Sequence, residues 1–85
     1  MRFVVTFELV SDEMNDGKDL FEAIAMTEAD VVLDLQHVTR MDGSGLDALK
    51  SLIERKMESG FSIQLARVRG QPREFLREQN ALEIG

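Results

Sequence analysis

The chemistry-bearing residues of this chain gather in one short loop, Thr39-Arg40-Met41-Asp42-Gly43-Ser44-Gly45-Leu46. Ser44 is a hydroxyl set between two glycines, Gly43 and Gly45, so no bulky neighbour in the chain screens it from a modifying enzyme. It stands where the most regular helical pattern of the sequence begins, three residues before Asp47, and this gives it two compatible roles. As an N-cap with an imperfect capping box it would stabilise the helix by about 1 kcal/mol. As a phosphoacceptor it would carry up to about two negative charges at a helix N-terminus, where the helix dipole favours them. Asp42 could hold the loop through its backbone N–H groups or orient the Ser44 hydroxyl. Asp34 closes an apolar run just upstream; its expected role is to fix the loop, and burial there would raise its pKa unless the loop or a helix N-terminus donates hydrogen bonds to it.

Other chemistry is poorly served. Ser44, Asp42 and the single histidine, His37, do not make a nucleophile, base and orienting acid at any recognisable spacing, so the chain is not read as an enzyme. His37 falls at a strand end and is expected on the surface. With no cysteine and one histidine, a thiolate or histidine-rich metal site within one chain is excluded, and Asp34 with Asp42 is a weak magnesium signal without a phosphate-binding loop. No cofactor and no metal are therefore expected. Arg67, Arg69, Arg73 and Arg77 cluster after the third strand and could bind an acidic partner or a phosphate, though such a run reads first as a solvated rim; the aromatic among them, Phe75, is needed by the core, which argues against nucleic-acid binding. Ten basic against sixteen acidic residues give a net charge of −6, which repels nucleic acid and anionic membrane unless a basic patch is segregated on one face. The acids crowd residues 1–34, where they meet only Arg2 and Lys18, so the surface is dipolar in a way that could orient a protein partner.

The elements that must position the loop follow from periodicity. Residues 2–10 alternate, with Phe3, Val5, Phe7 and Leu9 on one side, as in a half-buried strand. Asp16 offers an N-cap for a helix carrying Leu20, Phe21, Ile24 and Ala25 on one stripe and fading near Thr27. Val31-Val32-Leu33-Asp34-Leu35 is too short for a helix and continuous enough for a central strand covered on both faces. Leu46, Leu49, Ile53 and Met57, with Leu52, recur at helical spacing up to Gly60. Phe61, Ile63 and Leu65 mark a third strand ending near Val68. Arg69 and Gly70 turn the chain, and Pro72 suits the first turn of a last helix with Phe75 and Leu76 inward. Leu82 and Ile84 are expected to anchor an irregular tail. At 85 residues this is a single domain over 1–85, of α/β class: a small mixed or parallel sheet with helices packed on it. A sheet of three strands has an open edge, which offers a homodimer contact.

The residues Val31-Val32-Leu33-Asp34-Leu35, Val38, Met41-Asp42-Gly43-Ser44-Gly45-Leu46 and Leu49, followed by Gly60 before a strand, resemble the STAS domain of sulfate transporters and anti-sigma factor antagonists. The resemblance covers roughly residues 28–82. Its stand-alone bacterial members carry an apolar strand ending in an acid, a short spacer, and Asp-Ser-Ser-Gly-Leu opening a helix. The resemblance implies a non-enzymatic protein in which the second serine of that motif is phosphorylated by a partner serine kinase. Ser44 matches the acceptor and Asp42 the motif acid, while Gly43 replaces the first serine. Relative to the family pattern the chain is expected to be truncated at both ends, without the strand before strand one and the final strand and helix.

The expected function is thus a cytoplasmic, anti-sigma factor antagonist-like signalling module switched at Ser44, with Asp34, Asp42, Gly43 and Gly45 supporting the loop. Arg40, Met41, Asp47 and Lys50 are expected to meet the kinase-like or anti-sigma-like partner. The second reading is a constitutive STAS scaffold subunit of a chemotaxis or membrane-lipid transport assembly, docked through the same helix face without phospho-switching. The N-terminus lacks a secretory pattern, and no apolar run approaches the roughly 20 residues of a membrane helix.

Overall fold

The computed structural model describes residues 1–79. Three short strands, β1 (Arg2–Val4), β2 (Val31–Asp34) and β3 (Ile63–Ala66), alternate with three helices, α1 (Met14–Met26), α2 (Gly43–Glu58) and α3 (Gly70–Glu78). The strands lie in the order β1-β2-β3, both pairings parallel, with Phe3, Leu33 and Leu65 in one row of the register and Val4, Asp34 and Ala66 in the next. The α/β sheet expected from the alternation of periods is present and wholly parallel among the described residues, with the run around Leu33 at its centre. No described helix is long and apolar enough to cross a membrane.

The first strand is shorter than the alternation implied. Pairing with β2 ends after Val5, whose N–H donates to the Asp34 carbonyl, because β2 itself ends there and turns at Gln36 and His37. The chain rejoins the sheet line only at Leu9, which bridges to Met41 in parallel sense. The side-chain alternation survives the interruption: Val5 and Leu9 are buried, Phe3 and Phe7 pack on the core.

Among the described residues one hydrophobic cluster lies between the sheet and the helices, built from Val5, Leu9, Phe21, Ile24, Leu33, Leu35, Leu49, Leu52, Ile63 and Leu76 among others. Helix α1 starts at Met14, earlier than an Asp16 cap would allow, because a 3-10 turn over Ser11–Glu13 runs straight into it; Asp16 sits in the first turn instead. Its end at Thr27 is as expected.

In α2 the stripe of Leu46, Leu49, Leu52 and Ile53 is buried, but Met57 is 67% exposed. The inner slot goes to Lys56, three residues after Ile53 and fully buried. Its ammonium donates to the carbonyls of Thr27 (2.5 Å) and Ala29 (2.7 Å) and lies 5.1 Å from the centre of the Phe61 ring. A lysine can occupy a core position when its stem packs and its head finds acceptors. Here it ties the connection between α1 and β2 to the end of α2. The expected anchors Leu82 and Ile84 lie outside the described residues.

Among the described residues no helix covers the second face of β2, where the apolar run suggests one. Val4, Val32 and Ala66, on the side opposite Leu33, belong neither to the core cluster nor to the hydrophobics packed against it. Arginine side chains lie over part of that face, beside Asp34.

Candidate functional site: the loop entering helix α2

The loop from β2 to α2 is held from two sides. Leu9 donates its N–H to the Arg40 carbonyl (3.1 Å) and accepts from the Asp42 N–H (3.0 Å), which adds one rung of parallel pairing. On the other side the Gln71 amide, at the start of α3, accepts from the Met41 N–H (2.7 Å) and donates to the Met41 carbonyl (3.0 Å). Residues 40–42 are therefore strung between two partners distant in the chain. Gln71 left no mark in the sequence, because a surface-type amide in a first helical turn reads as solvent-facing.

The cap of α2 is Asp42, not Ser44. One carboxylate oxygen accepts from the N–H groups of Ser44 (2.9 Å) and Gly45 (3.1 Å), and the other from the N–H of Ser11 (3.0 Å). The hydrogen bonds from Ser11 and Gly45, aided by Ser44, outweigh partial burial and hold the Asp42 carboxyl below its ordinary range, so it is ionised at neutral pH. Ser44 becomes the second residue of the helix, exposed, and among the described residues its hydroxyl makes no hydrogen bond. The expected box between Ser44 and Asp47 is replaced by Asp42 reaching over Gly43 to Gly45, a span that fits a short carboxylate.

The two glycines differ. A Cβ at Gly45 would stand 2.0 Å from the Leu9 carbonyl oxygen, so only glycine allows the helix to start against that backbone. A Cβ at Gly43 would meet nothing within 4 Å, which leaves open space beside Ser44.

Of the residues expected to touch a partner, Arg40, Asp47 and Lys50 are exposed. Met41 is a correction: it is buried to 3% exposure, because its backbone is strung between Leu9 and Gln71 and its side chain joins the core. The Arg40 guanidinium faces Glu8 (3.5 Å) and Glu13 (3.3 Å). Glu8 also accepts from the N–H and hydroxyl of Thr39; burial pushes its carboxyl up, but these bonds and Arg40 outweigh it and the net shift is downward. Beyond Ser44 along α2, Ala48, Leu52 and Arg55 line a groove of about 350 Å³ against Met14, Lys18 and Phe21 of the α1 side. It is bounded by a two-bond pair between Arg55 and Glu22 (2.9 and 3.2 Å).

Asp34 is 1% exposed and carries its charge through neighbours. Burial pushes its carboxyl up, but hydrogen bonds from Arg2 (2.7 Å) and the Gln36 N–H (2.9 Å), with the charges of Arg2 and Arg67, hold it below the ordinary range. The condition set by its burial is met by an arginine of β1 and by the turn, not by a helix N-terminus. His37 is exposed, as expected. Among the described residues no group of three or more histidines, cysteines or acids is placed to hold a metal ion.

The family model described as STAS domain matches residues 10–84. No curated protein and no solved structure matches the chain. A central parallel strand ending in Asp34, a loop capped by Asp42, and a helix opening on Ser44 and Gly45 thus lie within a match that takes in most of the sequence, and the chain belongs to the STAS domain family.

Proposed function

We propose that this STAS domain is an anti-sigma factor antagonist-like binding module, switched by phosphorylation of Ser44 by a partner serine kinase. A STAS domain is in general a regulatory, protein-interacting module without catalysis of its own. The observation that carries the finer reading is the division of labour at the head of α2: Asp42 does the capping, and the exposed Ser44 hydroxyl makes no hydrogen bond among the described residues. A phosphate there would sit at a helix N-terminus without displacing a core contact. It would also stand among the carboxylates of Asp42 and Asp47, so the local surface turns strongly negative. A partner seated on Arg40, Asp47 and Lys50 would lose affinity through repulsion and the cost of desolvating the dianion.

The test is intact-mass and phosphopeptide mapping of the protein from its host, with pull-downs of wild type, Ser44→Ala and Ser44→Asp. Phosphate on Ser44, a partner retained by Ser44→Ala and lost by Ser44→Asp is the expected result. A partner held equally by all three, with no phosphate on wild type, would instead identify a constitutive scaffold subunit of a chemotaxis or lipid-transport assembly. A homodimer through an open sheet edge is compatible with either role, since both β1 and β3 pair on one side only among the described residues.

A further inference from the structure

We propose that the sheet face turned away from the core is a second interaction surface, which takes an acidic segment of a protein partner between Arg2, Arg67 and Arg69. Strand register places Arg2, Val4, Val32, Asp34 and Ala66 on this face, opposite the row of Phe3, Leu33 and Leu65 that packs on the core. Val4 is 39% exposed, and Val32 and Ala66 are half-buried without joining the core. The face therefore has a small apolar centre.

Its rim is cationic. Arg2 and Arg67 share one carboxylate, Asp34, at 2.7 and 3.7 Å, and that carboxylate is buried beneath them. Arg67 also donates to the Gln36 side chain (2.7 Å), and Arg69 donates to the Gln36 carbonyl (3.2 Å). Two guanidiniums thus share a single acid, and a third, that of Arg69, lies beside them on a backbone carbonyl with no acid among its hydrogen-bond partners in the described residues, so the rim has more guanidinium donors than its acceptors use. Arg67 holds a left-handed backbone conformation, φ 57°, that glycine would adopt without strain. Its anchoring to Asp34 and Gln36 keeps the guanidinium fixed on the rim. In a chain of net charge −6 this excess of positive charge is local.

Carboxylates are the complement of such a rim, because arginine forks match them in two-point geometry. A narrow acidic peptide with apolar side chains meets the guanidiniums and the valine centre together. An anionic membrane is repelled by a chain of net charge −6, and the strand register places no aromatic ring on this face on which bases could stack. This surface does not depend on the role of Ser44.

The experiment titrates the whole protein, ¹⁵N-labelled, with a synthetic peptide of interspersed glutamate and leucine, with phosphatidylglycerol-containing vesicles, and with single-stranded RNA. Saturable shifts at the amides of Val4, Val32 and residues 66–69 with the acidic peptide are expected. Arg69→Glu should weaken that binding at least about tenfold, since a reversed charge faces the ligand. Arg69→Gln should weaken it less, and Arg73→Glu, with the same charge change outside the cluster, should leave it unaltered. Because Arg69 makes no contact with Asp34, the variant is expected to melt like wild type; should it unfold, Arg69→Gln carries the comparison. Absence of saturable binding, shifts confined to other surfaces, equal loss in Arg73→Glu, or tighter binding of vesicles or RNA than of peptide would overturn the proposal.

Discussion

At Asp42 one carboxylate joins two segments: it caps α2 through Ser44 and Gly45 and fastens the turn before α1 through Ser11. Local sequence could not choose between Asp42 and Ser44 as the cap, because both residue types cap well and they stand two positions apart. Tertiary contacts decide it: the Asp42 N–H is drawn to the Leu9 carbonyl, which fixes Asp42 in extended conformation, and Ser11 supplies a further donor for its second oxygen. Replacing Asp42 with Ala should lower the melting temperature by roughly 5 °C, the range expected for a lost cap in a domain of this size. Asn at the same place, still an acceptor, should lower it less. Circular dichroism melts of the two variants check this, and an unaltered midpoint in Asp42→Ala would show that the cap carries no stability.

At the scale of elements, α2 can begin where it does only because residue 45 lacks a side chain. Gly45→Ala pushes a Cβ into the Leu9 backbone and is expected to destabilise the fold by roughly 3 kcal/mol, since backbone rather than a flexible side chain must give way. Gly43→Ala has open space and should change stability by no more than about 0.5–1 kcal/mol. Urea denaturation of both variants decides the point; equal effects would contradict the close approach of α2 to Leu9. The pattern Gly-Ser-Gly was legible as a loop opening a helix, but it did not distinguish its glycines, because the contact that separates them comes from a segment over thirty residues away. The same cause hid Lys56. A helical stripe is read from apolar residues, so Met57 took the inner place in the sequence, whereas the carbonyls of Thr27 and Ala29 draw Lys56 inward.

For the whole molecule, Glu8, Glu22, Asp34 and Asp42 all have carboxyl pKa values below the ordinary range, through Thr39 and Arg40, Arg55, Arg2 with Gln36, and Ser11 with Gly45 respectively. A depressed folded-state pKa means that the unfolded chain takes up protons first as pH falls. The stabilisation is then present above the ordinary carboxyl values and is lost as pH drops through the folded ones. Unfolding free energy should stay nearly level from neutral to about pH 5 and fall steadily below about pH 4, the ordinary carboxylate range. Denaturant titrations across that interval measure it, and equal stability at pH 3 and pH 7 would refute the assignment of these hydrogen bonds and ion pairs. By itself the sequence determined the order of strands and helices, the central place of the apolar strand and the loop that opens α2, since these follow from side-chain periodicity and the conformational limits of glycine. Only the tertiary structure decided which residue caps that helix, that Met41 is buried, that Gln71 holds the loop, and that arginines gather around Asp34 on one face of the sheet. Each of those depends on partners brought together from distant parts of the chain, and local residue patterns carry no record of such meetings.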